Sequence, residues 1–171
     1  MNDEEKDQPD ESGLPDDKSF EKPPSFFKSD FDHSDDREIE VKVIGVFQHE
    51  EPGATIQRFV LVQDNKGRRV PILIGPFEAL SITMAIENES PPRPLTHDLM
   101  KTFIEKLGAS VEKALVDDLW NEVFYAKVYL SQNDQLIEID SRPSDAIALA
   151  IRFKAPIYMS ESIIESTRQE E

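Results

Sequence analysis

Two short stretches each gather an arginine, a proline, a hydroxyl and at least one carboxylate into one turn: Arg93-Pro94-Leu95-Thr96-His97-Asp98 and Asp140-Ser141-Arg142-Pro143-Ser144-Asp145. In the second, Asp140 and Asp145 offer hard oxygen donors suited to Mg2+ or Mn2+, and Arg142 can hold a phosphate oxygen. One segment would then carry both halves of phosphodiester hydrolysis, an ion that activates water and a cation that offsets charge. In the first, His97 stands beside Asp98 and near Arg93, where it can serve as general base or as a donor to phosphate. The same residues also fit plain helix starts. Thr96 and Ser144 can accept from first-turn amides, Asp98 and Asp145 complement the positive helix end, and an Asp140–Arg142 contact would lock the turn. Two carboxylates from one turn make only part of a coordination sphere, so Glu78, Asp98, Glu122 or waters must complete it.

Other chemistries are excluded by what the chain lacks. It contains no cysteine, hence no disulfide, thiolate metal site or cysteine nucleophile. There is no glycine-rich phosphate loop, dinucleotide fingerprint, zinc-binding HExxH or serine elbow. Nor does a basic recognition helix or an aromatic-basic RNA motif occur. The formal charge of −16 repels polyanions at long range, although Arg68, Arg69, Arg93, Arg142, Arg152 and Lys154 can form a local basic patch.

The elements that must position these groups begin near Arg37. Residues 1–36 hold 13 Asp or Glu against 4 Lys, and such a segment lacks the apolar area to offset its ordering entropy. It is expected to be a disordered acidic tail, whose Phe20, Phe26, Phe27 and Phe31 could dock elsewhere. The start is acidic without an apolar core, and no later run has the length of a membrane span, so a soluble cytoplasmic protein is expected. Residues 37–166 form the folded domain and 167–171 a C-terminal tail.

Within that domain, periodicity assigns strands over 38–47, 56–64 and 68–75 as a meander turning at Asp64-Asn65-Lys66-Gly67, with Pro71 suited to an edge. Pro76 opens a helix to about Asn88. A second helix runs from about His97 to Leu107, with Leu99, Met100, Phe103, Ile104 and Leu107 at helical spacing. Strands follow over 110–117 and 123–130, divided by DDLWNE, and then over 136–140. Ser144 to about Lys154 is the third main helix; a short apolar stretch and a last turn or helix over 160–166 close the domain. Trp120, Tyr125 and Tyr129 fit a core, a subunit interface or base stacking. The fold class is therefore α/β or α+β, one compact domain with a mixed sheet and about three main helices. A weak repeat supports an internal duplication. Strand, proline turn, acid and small-then-apolar helix start recur as PILIGPFEAL and IEIDSRPSDAI, about 67 residues apart.

VPILIGPFEALSI, RPLTHDL followed by LGASV, LWNEVFYAKVYL and IDSRPSDAIALAIRFKAPIYM together resemble the bifunctional nuclease domain family over about three quarters of the chain, Glu38 to Ser166. The resemblance implies a nuclease acting on DNA, RNA or both, a compact α/β domain and a homo-oligomer, a dimer being favoured. The family-typical positions are Glu78, Arg93, His97, Asp98, Asp140, Arg142, Ser144 and Asp145. Ser141 stands where many relatives have alanine. The resemblance assigns them no roles; on the hydrolytic reading of the residues themselves Glu78, His97, Asp98, Asp140 and Asp145 are catalytic. Arg93, Arg142 and Ser144 bind substrate, and Asp140 and Asp145 hold the metal. The rival readings are a noncatalytic oligomeric interaction module and a small-ligand regulatory domain. Convergence of the acids and His97 in one cleft would favour catalysis; separate satisfied caps would favour the module.

Overall fold

A computed structural model describes residues 36–50, 52–53 and 55–167. The expected acidic tail up to Asp35, with its phenylalanines, and the C-terminal residues after Thr167 lie outside the described residues. Seven strands and four helices follow in the order β1 (Glu38–His49), β2 (Gln57–Asp64), β3 (Arg69–Ile74), α1 (Pro76–Glu87), α2 (Thr96–Lys106), β4 (Ser110–Trp120), β5 (Val123–Gln132), β6 (Gln135–Ser141), α3 (Pro143–Phe153), β7 (Ile157–Ser160) and α4 (Glu161–Ser166). The architecture is mixed α/β, as the sequence pattern requires.

The strands form one sheet in the order β3-β2-β1-β7-β4-β5-β6. Two antiparallel meanders, β1-β2-β3 and β4-β5-β6, flank β7, which pairs antiparallel with β1 and parallel with β4. Each meander runs into a helix with proline in its first turn, and both helices end on a left-handed residue, Asn88 or Lys154 at φ 55°. The repeat seen in sequence is thus a repeat of whole supersecondary units. Pro71 sits in β3, an edge strand, where a missing donor costs no ladder bond on the solvent side.

DDLWNE is not a loop. β4 continues through Trp120, and the reversal takes only Asn121 and Glu122, both at positive φ (48° and 65°). A two-residue turn of this hand matches strand twist, and asparagine tolerates it better than most residues. Asn133 and Asp134 make the same turn between β5 and β6. β1 likewise runs further than its alternation suggests, ending at His49.

Six inter-strand spacings of about 4.8 Å would hold β3 and β6 roughly 29 Å apart in a flat sheet. Yet Glu78, four residues beyond β3, meets Arg142, the residue after β6, at 2.9 Å. Even long side chains cannot span that gap unless the sheet curls. Register shifts in β1 between Val43 and Gly45, and in β4 at Val111/Lys113 and Val116/Asp118, supply the bend on both sides of the centre, because a bulge increases local twist and curvature.

Helices α1, α2 and α3 pack together, and α3 lies deepest: Ala146, Ile147, Ala148, Leu149 and Ala150 are buried among Val60, Val116, Val128 and Met159. Small residues on every side of α3 let it approach both the sheet and its helical neighbours. At the opposite end Arg68 clips α4 to the β2–β3 turn, with Nε on Asp64 at 2.7 Å and Nη1 on Glu161 at 2.5 Å. α2 departs from expectation. Of its residues only His97 is buried, whereas Leu99, Met100 and Phe103 are exposed. Among the described residues no helix is long and apolar enough to cross a membrane.

Because α3 carries Asp145 and seats Arg142 just ahead of it, its core anchor should be costly to trim. Ile147 is fully buried, so Ile147→Ala is expected to lower unfolding free energy by about 3 kcal/mol, read from urea denaturation followed by circular dichroism.

Candidate functional site

The first turns of three helices meet at one place. Glu78 is the third residue of α1, His97 the second of α2 and Asp145 the third of α3, while Arg142 is the residue before α3. Helix starts carry unpaired N–H groups and partial positive charge, which favours the acid in each of them. Arg142 donates from Nε to Asp145 Oδ2 at 2.8 Å and from Nη2 to Asp145 Oδ1 at 3.0 Å. Its Nη2 also reaches Glu78 Oε1 at 2.9 Å. The guanidinium fork therefore joins two acids from the two repeated units, and its side chain remains 66% exposed, open to a further partner.

Glu78 can adopt this pose because residue 75 is glycine. Gly75 has an ordinary φ of −75°, so backbone freedom is not the reason; a Cβ there would run into Glu78 Oε2. Close approach is what the glycine provides.

Behind the acids runs a buried relay. His97 donates from Nε2 to Asp145 Oδ1 at 3.0 Å, and its Nδ1 lies 2.8 Å from Ser81 Oγ. Arg152 donates from Nη2 to Ser81 Oγ at 3.0 Å and from Nε to Asp98 Oδ1 at 2.7 Å. An arginine only donates and an ionised Asp145 only accepts. In the neutral ring the proton is thus on Nε2, and Ser81 gives its own to Nδ1. With both nitrogens engaged and the residue 7% exposed, His97 orients Asp145 and is not placed to take a proton from a bound water.

The electrostatics follow. Burial pushes the Asp145 carboxyl up, but bonds from Arg142 and His97 outweigh it and hold the group below its ordinary value. Asp98 is held down in the same way, burial opposing Arg152 and the Leu95 amide. Bonding to Asp145, and then to Glu78, holds the Arg142 proton still more firmly than usual.

Two cavities open beside this cluster and share Glu78 and Arg142. One, of about 1470 Å³, is a groove along β3 and the β4–β5 turn that includes Lys66, Arg69, Phe124 and Ser144. The other, of about 700 Å³, lies between α1, α2 and β6 and is mostly apolar.

Of the residues expected from sequence, Glu78, His97, Arg142 and Asp145 come together. Asp98 does not enter the cluster directly; it accepts from its own Leu95 amide at 2.9 Å and reaches the site only through Arg152 and Ser81. Asp140 is exposed on β6 and lines the apolar cavity, but it does not contact Arg142, whose partners are Asp145 and Glu78. Arg93 is exposed in the connection before α2 and lines neither cavity. Neither hydroxyl caps. Leu95 and Arg142 precede the helices, leaving Thr96 at the first helical position and the buried Ser144 at the second, with no side-chain cap bond at either helix. For a metal the donor set is poor as arranged, since both Asp145 oxygens accept from other side chains. No three His, Asp or Glu among the described residues are grouped to hold an ion. Ser81 and Arg152 were missed as site residues. Their signals were a hydroxyl between Ala79 and Ile82, the buried apolar residues of α1, and an arginine in the last turn of α3 after the apolar run 146–151.

The bifunctional nuclease domain matches residues 59–171. The chain belongs to that family. An uncharacterized protein of Mycobacterium tuberculosis is 36% identical over 125 residues, 73% of this chain and 73% of that protein. Plant relatives are more distant. Bifunctional nuclease 2 of Arabidopsis thaliana is 29% identical over 108 residues, and Bifunctional nuclease 1 of Oryza sativa subsp. japonica 27% over 105. They are matched over 61% and 60% of this chain but only 33% and 32% of their own length. The family match includes every member of the Glu78–Arg142–Asp145–His97 cluster together with Ser81 and Arg152, and it begins after β1.

A carboxyl whose folded pKa lies below its unfolded value binds fewer protons when folded, so it stabilises the protein above the unfolded pKa. That value is about 3.9 for aspartate. The contributions of Asp98 and Asp145 should be complete above about pH 4 and vanish as pH falls through their lowered folded values. Thermal midpoints measured across this acid range are expected to fall steeply, and Asp145→Asn should flatten the fall.

Proposed function

We propose that this bifunctional nuclease domain hydrolyses phosphodiester bonds of DNA or RNA at the Glu78–Arg142–Asp145 cluster. The observation that carries the reading is one exposed guanidinium held by two acids from separate helices at the junction of two open cavities. Arg142 would bind a nonbridging oxygen and offset the charge that develops as water attacks phosphorus. Glu78, held over Gly75 with one oxygen on Arg142, would take the proton from that water. The leaving oxygen is protonated from solvent in the open groove. Asp145, His97 and Ser81 fix the guanidinium in the plane that presents it, a positioning role. The Mg2+ or Mn2+ expected on Asp140 and Asp145 would have to break the Arg142–Asp145 pair before binding. Loss of cleavage both in EDTA and in Asp140→Asn would put an ion there. The homodimer implied by the resemblance belongs to the same proposal. β6 offers it an edge with Leu136, Ile137 and Ile139 exposed, and sedimentation of the intact chain reads it.

Purified protein is expected to cut single-stranded DNA or RNA, with Glu78→Gln lowering kcat by about 10²–10⁴ and Arg142→Lys by about 10²–10³. Should both variants cleave like the parent protein, the site assignment fails. Gly75→Ala tests the pose of Glu78 separately. The fold should persist, since the backbone angles suit alanine, while kcat falls because the carboxylate is displaced from Arg142. A Gly75→Ala enzyme with unchanged kcat would remove the positioning argument.

A further inference from the structure

We infer that the apolar cavity between α1, α2 and β6 is a nucleobase subsite, so that the phosphate seated on Arg142 must belong to an unpaired nucleotide. The inference rests on the phosphodiester reading above and names what that site accepts.

The first observation is the unspent apolar stripe of α2. Met100, Phe103 and Ile104 have the spacing of a core face, yet only Ile104 packs in part against the core: Phe103 is 58% exposed and lines the cavity with Met100 and Ile104. α1 contributes Leu80 and, at the rim, Phe77 with 81% exposure; β6 adds Ile139. A volume of about 700 Å³ suits a small planar group, since ligand sites run from about 300 to 1,000 Å³ with apolar walls and a few polar groups fixing orientation. Aromatic side chains take up bases of any sequence because every base has a π-face.

The second observation is where the polar groups lie. Glu78, Arg142 and Asp145 line this cavity, and Glu78 and Arg142 also line the large groove. A phosphate on Arg142 therefore has an apolar chamber to one side and, on the other, a groove carrying Lys66 and Arg69 for the next phosphates of the strand. That combination of a cationic track with apolar and aromatic platforms is what single strands require. A base in a duplex is closed off by its neighbours, and must first be extruded at the cost of unstacking and unpairing. A second copy of this chain is the competing occupant. It would cover the apolar wall, but it does not explain why the polar end of the cavity is the arginine–carboxylate cluster.

The test separates the subsite from the chemistry. Calorimetry with full-length Glu78→Gln protein should show adenosine monophosphate binding at least about fivefold tighter than inorganic phosphate, the least that one stacked base is worth. Phe103→Ala should abolish that difference. Phe77→Ala, at a position too exposed to affect folding, should reduce it. With active protein, a matched duplex should be cut more slowly than the same strand alone, and an abasic nucleotide beside the scissile bond should raise KM by at least about fivefold. If nothing is cleaved but the monophosphate preference exists and disappears in Phe103→Ala, the subsite stands and the nuclease reading falls. If single and double strands are cut alike and monophosphate binds no better than phosphate, the subsite falls while the nuclease reading stands. A Phe103→Ala protein that sediments as a smaller species with unaltered monophosphate preference would assign the cavity to a second copy and overturn the inference.

Discussion

Arg142 holds this molecule's working end together. Its guanidinium bridges the carboxylates of Glu78 and Asp145, which follow the strands at opposite edges of a seven-stranded sheet. That bridge can form only on a curled sheet, and the curl depends on bulges in the two strands beside β7. Bidentate geometry makes the clasp directional as well as strong. A lysine at 142 would keep the charge and lose the plane that faces both acids. The cluster is thus a product of global curvature, although each residue in it is set by a local turn.

Much of the fold was legible because its signals were local. Alternation marked both meanders, prolines marked the starts of α1 and α3, and the spacing of PILIGPFEAL and IEIDSRPSDAI announced the repeated unit. The pairing partners were not legible in the same way. Local reasoning assigned Arg142 to Asp140, two residues away on the preceding strand; the structure gives it Asp145 on the next turn and Glu78 from 64 residues earlier. Thr96 and Ser144 have the chemistry of caps, but the chain places them inside the helix, and the acid at the third position of α2 accepts from the Leu95 amide just ahead of it. DDLWNE looked like a connection because its charges conceal a strand whose turn needs only two residues. The stripe on α2 was read correctly as apolar, and nothing in its spacing could show that it faces a cavity.

The chain as a whole is acidic, whereas the large groove is lined in part by cations. More than half of the −16 formal charge lies in residues 1–36, whereas Lys66, Arg69 and Arg142 sit along the groove itself. Charges more than about 8 Å away are largely screened at physiological salt, so in the proposed complex a strand would be governed chiefly by the charges nearest to it, Lys66, Arg69 and Arg142 among them.

The two repeated units are not equivalent at the residue that matters most. Position 75 is glycine where its counterpart, 67 residues on, is Arg142, while Glu78 corresponds to Asp145. The first unit contributes a carboxylate and a vacant place; the second contributes the cation. A chimera of two first units would bring two negative groups face to face with no counter-ion. One made of two second units would set two arginines, each beside its own aspartate, where a single cation now joins the halves. The clasp therefore rests on its halves being unlike, one supplying a carboxylate without a cation and the other the cation that serves both.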